Sequence, residues 1–407
     1  MRRLVHILLF AACLCSPLRL FAEEVQAADS VAVDSTLQVS LLTCSPGFAS
    51  YELYGHTALR VQSTQYDYDL VFNYGVFDFT QDYFVWRFVL GECDYMCAAS
   101  PYYVFEHEYR HRGSSITEQV LNLLPVEARA LTAALVDNCQ PANCVYRYNI
   151  FRNNCTTRVR DMIEAHVRGI VRYPARAPRY TLRQMLHQFT AGSPWDEVGN
   201  DLLLGADVDT LLSERAEMFA PVYFMWYADS AMIDRGHWGC DSLVRERRVL
   251  LAADAALQQR AAAAEPTFFL TPSQLFWALL CLALLLGCWE VRRRRVLWGV
   301  DAVLMVLQGL AGILLVFMSL FSEHPAVDTN WQVWLLNPLP LLFVYPVVRA
   351  DLRGERCFYH AAAAAVIVVF LLLSFVIPQH FSSITIPLAL LLLSRAAVHL
   401  WNYHISR

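Results

Sequence analysis

The chain has 407 residues, 56% of them hydrophobic and 17% charged, with a net charge of -5 and a mean hydropathy of +0.34. So apolar a composition excludes a single ordinary soluble globule. The near-neutral balance, with no strongly basic domain, excludes nucleic acid as the main partner.

The first residues, MRRLVHILLFAACLCSPLRLFAEEVQA, carry a basic start at Arg2 and Arg3, an apolar run and small residues near Ala22 and Ala27. This pattern predicts a secretory signal peptide over residues 1–27. Residues 28–180 then mix two periods. Strands are expected over 37–44, 56–63, 69–75, 115–123 and 145–151, where β-branched and aromatic residues cluster. Helices are expected over 80–92 and 125–138, the second with Pro125 in its first turn. From Thr181 the pieces read as mainly helical and end in the alanine-rich stalk QRAAAAEPT, so residues 181–266 are expected to form an exported helical extension.

After residue 267 apolar runs dominate. Five spans are expected, roughly 269–289, 297–321, 333–349, 358–377 and 384–402, the third short and broken by proline. The connections 290–297 and 349–357 are basic, whereas 322–332 and 378–383 hold no lysine or arginine. That alternation puts the arginine-rich connections and the C-terminus in the cytoplasm and everything before residue 267 outside. Arg395 and His399 are expected to snorkel from the last span to the interface. In the outside loop 322–332, His324, Asp328 and Asn330 are possible polar contacts to the exported domain, although a plain loop is the simpler expectation.

One stretch of the exported part concentrates chemistry: RNNCTTRVRDMIEAHVRG, residues 152–169. Asn153 or Asn154 caps a helix, and Val159, Met162, Ile163, His166 and Val167 recur on one face. Cys155 falls on that face in the first turn, where the helix N-terminus favours thiolate and offers backbone N–H groups to an oxyanion. Three readings are open for it: nucleophile, disulfide half or packed thiol. A base partner is found in SYELYGHTALRV, which sets His56 at the start of a strand, while the next strand carries Asn73 in FNYG. Histidine, polar orienter and cysteine, in that chain order, form a Cys-His-Asn set.

The segments YELYGHTALRV, FNYGVFDF, EQVLNL and YRYNIFRNNCTTRVRDMIE resemble a bacterial family named for its Lnb N-terminal periplasmic domain. The resemblance covers roughly residues 37–260 and extends to EHPAVDTNWQVWLLNPL in the membrane part. The layout with histidine first also looks like circularly permuted papain-like enzymes of the lecithin:retinol acyltransferase and NlpC types. That likeness implies an α+β permuted papain-like periplasmic domain with a helical extension, followed by an all-α five-helix transmembrane domain over 267–407. It implies thiol chemistry on amides or esters, with Cys155 as nucleophile, His56 as base and Asn73 as orienter; Asp69 or Asp78 are alternatives for the last role. Tyr54, Asn154 and Glu118 are candidate binding residues, and no metal or cofactor is expected.

The expected function is therefore a membrane-anchored periplasmic thiol hydrolase or acyltransferase acting on an amide or ester of the bacterial envelope: a peptide, a lipid or an acylated protein. The second expectation is a non-catalytic binding or assembly module with a protein partner at the inner membrane. A third rests on HEYRH, in which His107, Glu108 and His111 match a zinc-protease motif; Ser114 and Thr117 stand where its extended form needs glycine and histidine. Seven of the twelve cysteines lie in the exported part, an odd number. The pairs Cys93–Cys97, Cys139–Cys144 and Cys44–Cys240 would leave Cys155 free.

Overall fold

The computed structural model describes residues 34–77, 82–264 and 268–405. The signal peptide and Asp78 lie outside the described residues. The chain forms two compact units: one of residues 1–88, 92–178 and 212–266, the other of 89–91, 179–211 and 267–407.

The first unit is built on a seven-stranded antiparallel sheet. Its strands are β1 (Gln38–Cys44), β2 (His56–Ser63), β3 (Tyr68–Val76), β4 (Asp94–Pro101), β5 (Ile116–Leu121), β6 (Val145–Arg147) and β10 (Val244–Leu251). They lie in the order β10-β5-β1-β2-β3-β4-β6, while β7 (Ile170–Arg172), β8 (Met232–Asp234) and β9 (Cys240–Ser242) make a small second sheet. The central strands are covered on both faces. Val39, Leu41, Leu59, Val61 and Phe72 point to one core, and Leu42, Ala58 and Val71 to the other. This double burial explains why β1 and β2 read as almost continuous apolar runs.

Helices α3 (Pro125–Asn138) and α4 (Cys155–His166) cover the first face through Leu131, Leu135, Val159 and Ile163. Helix α2 (Tyr102–Arg112) covers the second through Phe105 and Tyr109. A short helix, α1 (Phe84–Leu90), precedes β4. Three features depart from the expected pattern. HEYRH is not a polar turn but the end of α2, closed by Gly113 at φ 71°. Strand β10, polar along most of its length, is a sheet edge within the stretch expected to be helical. The strand expected over 145–151 stops at Arg147, because Asn149 and Asn153 bond to each other across a turn.

The second unit holds five helices in its C-terminal part: α10 (Pro272–Arg293), α11 (Trp298–Phe321), α12 (Leu339–Arg353), α13 (Phe358–Leu373) and α14 (Thr385–Ile405). Among the described residues four stretches are long and apolar enough to cross a membrane: 272–293, 298–321, 331–353 and 385–402; α13 is shorter. Helices α5 (Leu182–Thr190) and α6 (Pro194–Leu203) belong to this unit, rather than grouping with residues 212–266. The loop 322–332 is more than a plain connection. Asn330 Nδ2 donates to Leu202 O at 2.7 Å, Gln332 Nε2 to Asp201 O at 2.7 Å, and Gly205 N–H to Ala326 O at 2.7 Å. Gly205 admits this approach because a Cβ there would lie 2.5 Å from the Thr329 carbonyl carbon.

Arg395 and His399 do not snorkel. Both are buried, at 4% and 1% exposure, in ion pairs with Glu290, Asp301 and Asp351. The sequence reading looked for the nearest water; the helices supply carboxylates instead.

Candidate active site

The site forms where β2 begins and β3 ends. Gly55, at φ 75°, makes the turn into β2, and a Cβ there would lie 2.6 Å from Cys44 O. Strand pairing sets His56 opposite Cys44 and Ala58 opposite Asn73. Side chains alternate along a strand, so His56 and Asn73 share the face under α2. His56 Nε2 and Asn73 Oδ1 are 3.0 Å apart. Since Oδ1 only accepts, Nε2 carries the proton and Nδ1 is left for the thiol.

Cys155 is the first residue of α4. The helix body packs on the opposite face, but its N-terminus overhangs the strand ends, and the Cys155 thiol hydrogen-bonds to His56 and to the Thr57 N–H. Two devices hold it there. Thr57 Oγ1 and Thr156 Oγ1 meet at 3.0 Å in a buried contact that fastens the helix start to β2. Gly75, at φ 93° where the pairing of β3 with β4 slips, lets the helix approach: its Cβ position is 3.7 Å from Cys155 Cβ.

Asn154 is the cap rather than a free binding group. Its Oδ1 accepts from Thr156 N–H at 3.0 Å and Thr157 N–H at 2.9 Å. Its Nδ2 donates to Ile150 O and Phe219 O, both at 2.8 Å. All four hydrogen-bonding positions of the amide are used. Of the backbone N–H groups at the helix start, the cap leaves that of Cys155 itself.

Burial pushes the Cys155 thiol up, but the His56 charge and hydrogen bond, the Thr57 N–H and the Thr156 hydroxyl outweigh it and hold the group below the ordinary thiol range. Burial pulls His56 down, yet Cys155, Asn73 and the Glu108 charge raise it above an ordinary histidine. The two groups thus favour thiolate and imidazolium together. Cys44, beside His56 in the sheet, behaves oppositely. Burial holds it well above the thiol range despite a hydrogen bond with Tyr109, so it is a poor nucleophile.

Several contributors were not visible in the motifs. The Tyr109 ring stacks on His56, with centroids 6.4 Å apart and planes at 13°. A row of rings leads away from Cys155: Tyr148 on Tyr95 at 4.1 Å, Tyr95 on Phe77 at 4.8 Å, Phe77 on Phe84 at 6.4 Å and Phe84 on Phe88 at 6.3 Å. Around its outer end Tyr83, Val85, Trp86 and Phe88 are exposed. Glycine inside the FNYG strand pattern was the available signal for the bulge at Gly75. Thr57 was legible only as the neighbour of His56.

The other candidates fall elsewhere. Tyr54 is half-buried in the turn before Gly55 and is one of the tyrosines whose field reaches Tyr148. Glu118 is fully buried on the α2 face and held by Arg60 at 3.1 Å and Arg248 at 2.5 Å. Asp69, the alternative orienter, is clamped by Arg60 through two hydrogen bonds of 2.7 and 2.6 Å. The structure thus brings together Cys155, His56 and Asn73, and sets Glu118 and Asp69 in a separate ion network.

His111 Nδ1 donates to His107 O, and Glu108 pairs with Arg112. Neither of the two three-residue metal-binding groups among the described residues includes this motif. Among the thiols, Cys97 and Cys139 face each other at 3.0 Å, in place of the expected local pairs. Cys93 and Cys97 flank one extended run, about 13 Å apart at strand rise, beyond disulfide reach.

Two family models match the chain: the Lnb N-terminal periplasmic domain over residues 24–188 and the Lnb transmembrane domain over residues 263–406. No curated protein and no solved structure matches it.

Proposed function

Because the chain belongs to the Lnb family through both of its domains, we propose that it is a membrane-anchored thiol acyl-transfer enzyme, a hydrolase or acyltransferase, working at the periplasmic face of the inner membrane. The observation that carries this reading is the line from Cys155 through His56 to Asn73, with the His56–Asn73 contact at 3.0 Å. A structural thiol has no need of an oriented histidine, and a disulfide half has no need of a lowered pKa.

In this reading the Cys155 thiolate attacks an ester or amide carbonyl and the C=O pair moves onto oxygen. The Cys155 N–H, left by the cap, supports that oxyanion. His56 gives its Nδ1 proton to the departing alcohol or amine as the C–O or C–N bond breaks, leaving a thioester on Cys155. Water or a second amine or alcohol then attacks the thioester, His56 takes the incoming proton, and the thiolate leaves. Asn73 keeps the imidazole aimed through both halves. The aromatic row ending in exposed Val85, Trp86 and Phe88 favours a substrate with an apolar, acyl-type part. We read the first unit as a permuted papain-like fold, and α10–α14 as five membrane spans with the arginine-rich connections and the C-terminus in the cytoplasm.

The test is to trap the thioester. Full-length protein in detergent is incubated with a p-nitrophenyl acyl ester and analysed by mass. The reading predicts one acyl group on Cys155, removed by neutral hydroxylamine and missing in Cys155→Ser. A non-catalytic docking module predicts no Cys155-dependent adduct, and that result, or Cys155 found in a disulfide, overturns the proposal.

A further inference from the structure

The second unit contains a polar cluster unrelated to the thiol site. Glu290 of α10, Asp301 of α11, Asp351 of α12, His360 of α13, and Arg395 and His399 of α14 converge at the end of the helices that carries the arginine-rich connections. Arg395 Nη1 is 2.5 Å from Glu290 Oε2, and its Nε is 2.7 Å from Asp301 Oδ1. That part of the cluster is a complete ion network. The other part is not. His360 is 5% exposed, and its Nε2 is buried with no hydrogen-bond partner. One ligand atom each from Asp351, His360 and His399 lies within 4.8 Å of the other two.

We propose that Asp351, His360 and His399 form a divalent transition-metal site, zinc by its donor set, that ties α12, α13 and α14 together. Three observations converge on a metal. Two imidazoles and one carboxylate are the donors that first-row divalent ions prefer. His399 Nδ1 and Asp351 Oδ1 are 3.2 Å apart, and two ligands at zinc bonding distance and a tetrahedral angle stand about 3.3 Å apart. His399 Nε2 is held by Asp301 Oδ2 at 3.0 Å, the carboxylate–histidine arrangement that fixes the tautomer and turns the other nitrogen's lone pair toward a metal. A buried nitrogen left without a partner, as in His360, carries a desolvation cost that a metal bond removes. The remaining three-residue group, His187, Glu197 and Asp201, does not compete. Its Asp201 Oδ1 already takes both Arg183 Nη1 at 2.8 Å and His187 Nε2 at 2.9 Å.

The test uses the full-length chain purified in detergent without chelator. Elemental analysis is expected to find close to one zinc per chain, falling at least tenfold in His360→Gln and in Asp351→Asn but not in His187→Gln. Wild-type protein stripped with chelator and titrated with cobalt is expected to gain visible d–d bands without a thiolate charge-transfer band. That measurement needs no variant to fold. Wild-type protein that neither carries zinc nor binds cobalt overturns the proposal. It then points to a charged His399 bridging Asp301 and Asp351. Variants that keep full metal occupancy, or a thiolate band, overturn the assignment equally.

Discussion

Replacing Asn154 with alanine tests how the thiol is positioned. The change removes two cap hydrogen bonds, at 3.0 and 2.9 Å, and two donations at 2.8 Å to the Ile150 and Phe219 carbonyls. Loss of an N-cap costs about 1 kcal/mol, and each stranded buried carbonyl about 1 kcal/mol more, for a total near 3 kcal/mol. In a unit of roughly 200 residues each kcal/mol lowers Tm by about 2–4 °C, so a fall of about 6–12 °C is expected in a thermal scan of the detergent-purified protein. The first turn of α4 frays with it, and Cys155 leaves His56, so alkylation of Cys155 at neutral pH slows. Asn154→Ser keeps an acceptor for the helix start and loses the donations, and should fall about half as far. An Asn154→Ala protein that melts within about 1 °C of wild type and alkylates at the same rate refutes the argument.

Three further outcomes follow from the same geometry. Gly75→Ala forces a side chain into φ 93° beside Cys155, which costs about 1–3 kcal/mol and is expected to slow thioester formation more than it lowers Tm. Glu118→Ala strands Arg60 and Arg248 over a buried gap; it should destabilise by about 3–5 kcal/mol while Cys155 in the folded fraction alkylates as before, whereas a binding role for Glu118 predicts the reverse. In protein taken from an oxidising compartment, peptide mapping without reductant should find Cys97 joined to Cys139, because these thiols meet in the buried core at 3.0 Å; Cys93–Cys97 or Cys139–Cys144 links would contradict the placement.

What was legible in the sequence was what burial or a cap imposes locally. Strand β2 was readable because residues 56–63 are apolar on both faces, and α3 because Pro125 opens it and its apolar residues recur at helical spacing. The approach of Cys155, His56 and Asn73 was legible in outline, since each sits at an element end or on a neighbouring strand. Long-range partners were not. Arg60 belongs to Glu118 and Asp69 through a strand order that no local pattern reveals, and Asp69 therefore read as a free orienter. Cys97 reaches Cys139 across 42 positions, so spacing suggested nearer partners. Strand β10 is mostly exposed along a sheet edge and carried no apolar alternation to betray it. Arg395 looked like a snorkelling residue because its carboxylates lie on α10 and α11, about a hundred positions away.

The most direct measurement of the central claim is the rate of iodoacetamide alkylation at Cys155 across pH, in wild type, His56→Ala and Cys155→Ser. The Cys155 pKa is lowered in the folded protein, so its thiolate persists below the ordinary thiol pKa of roughly 8.5 and is lost as pH falls through the lowered value. His56 is raised, so its charge is present at low pH and lost as pH rises through the raised value. Between those two values both groups are charged. The account predicts fast, Cys155-dependent alkylation well below pH 8.5, with the wild-type profile shifted to higher pH by His56→Ala and no labelling at position 155 in Cys155→Ser. A Cys155 that titrates like a free thiol and ignores the loss of His56 would contradict it.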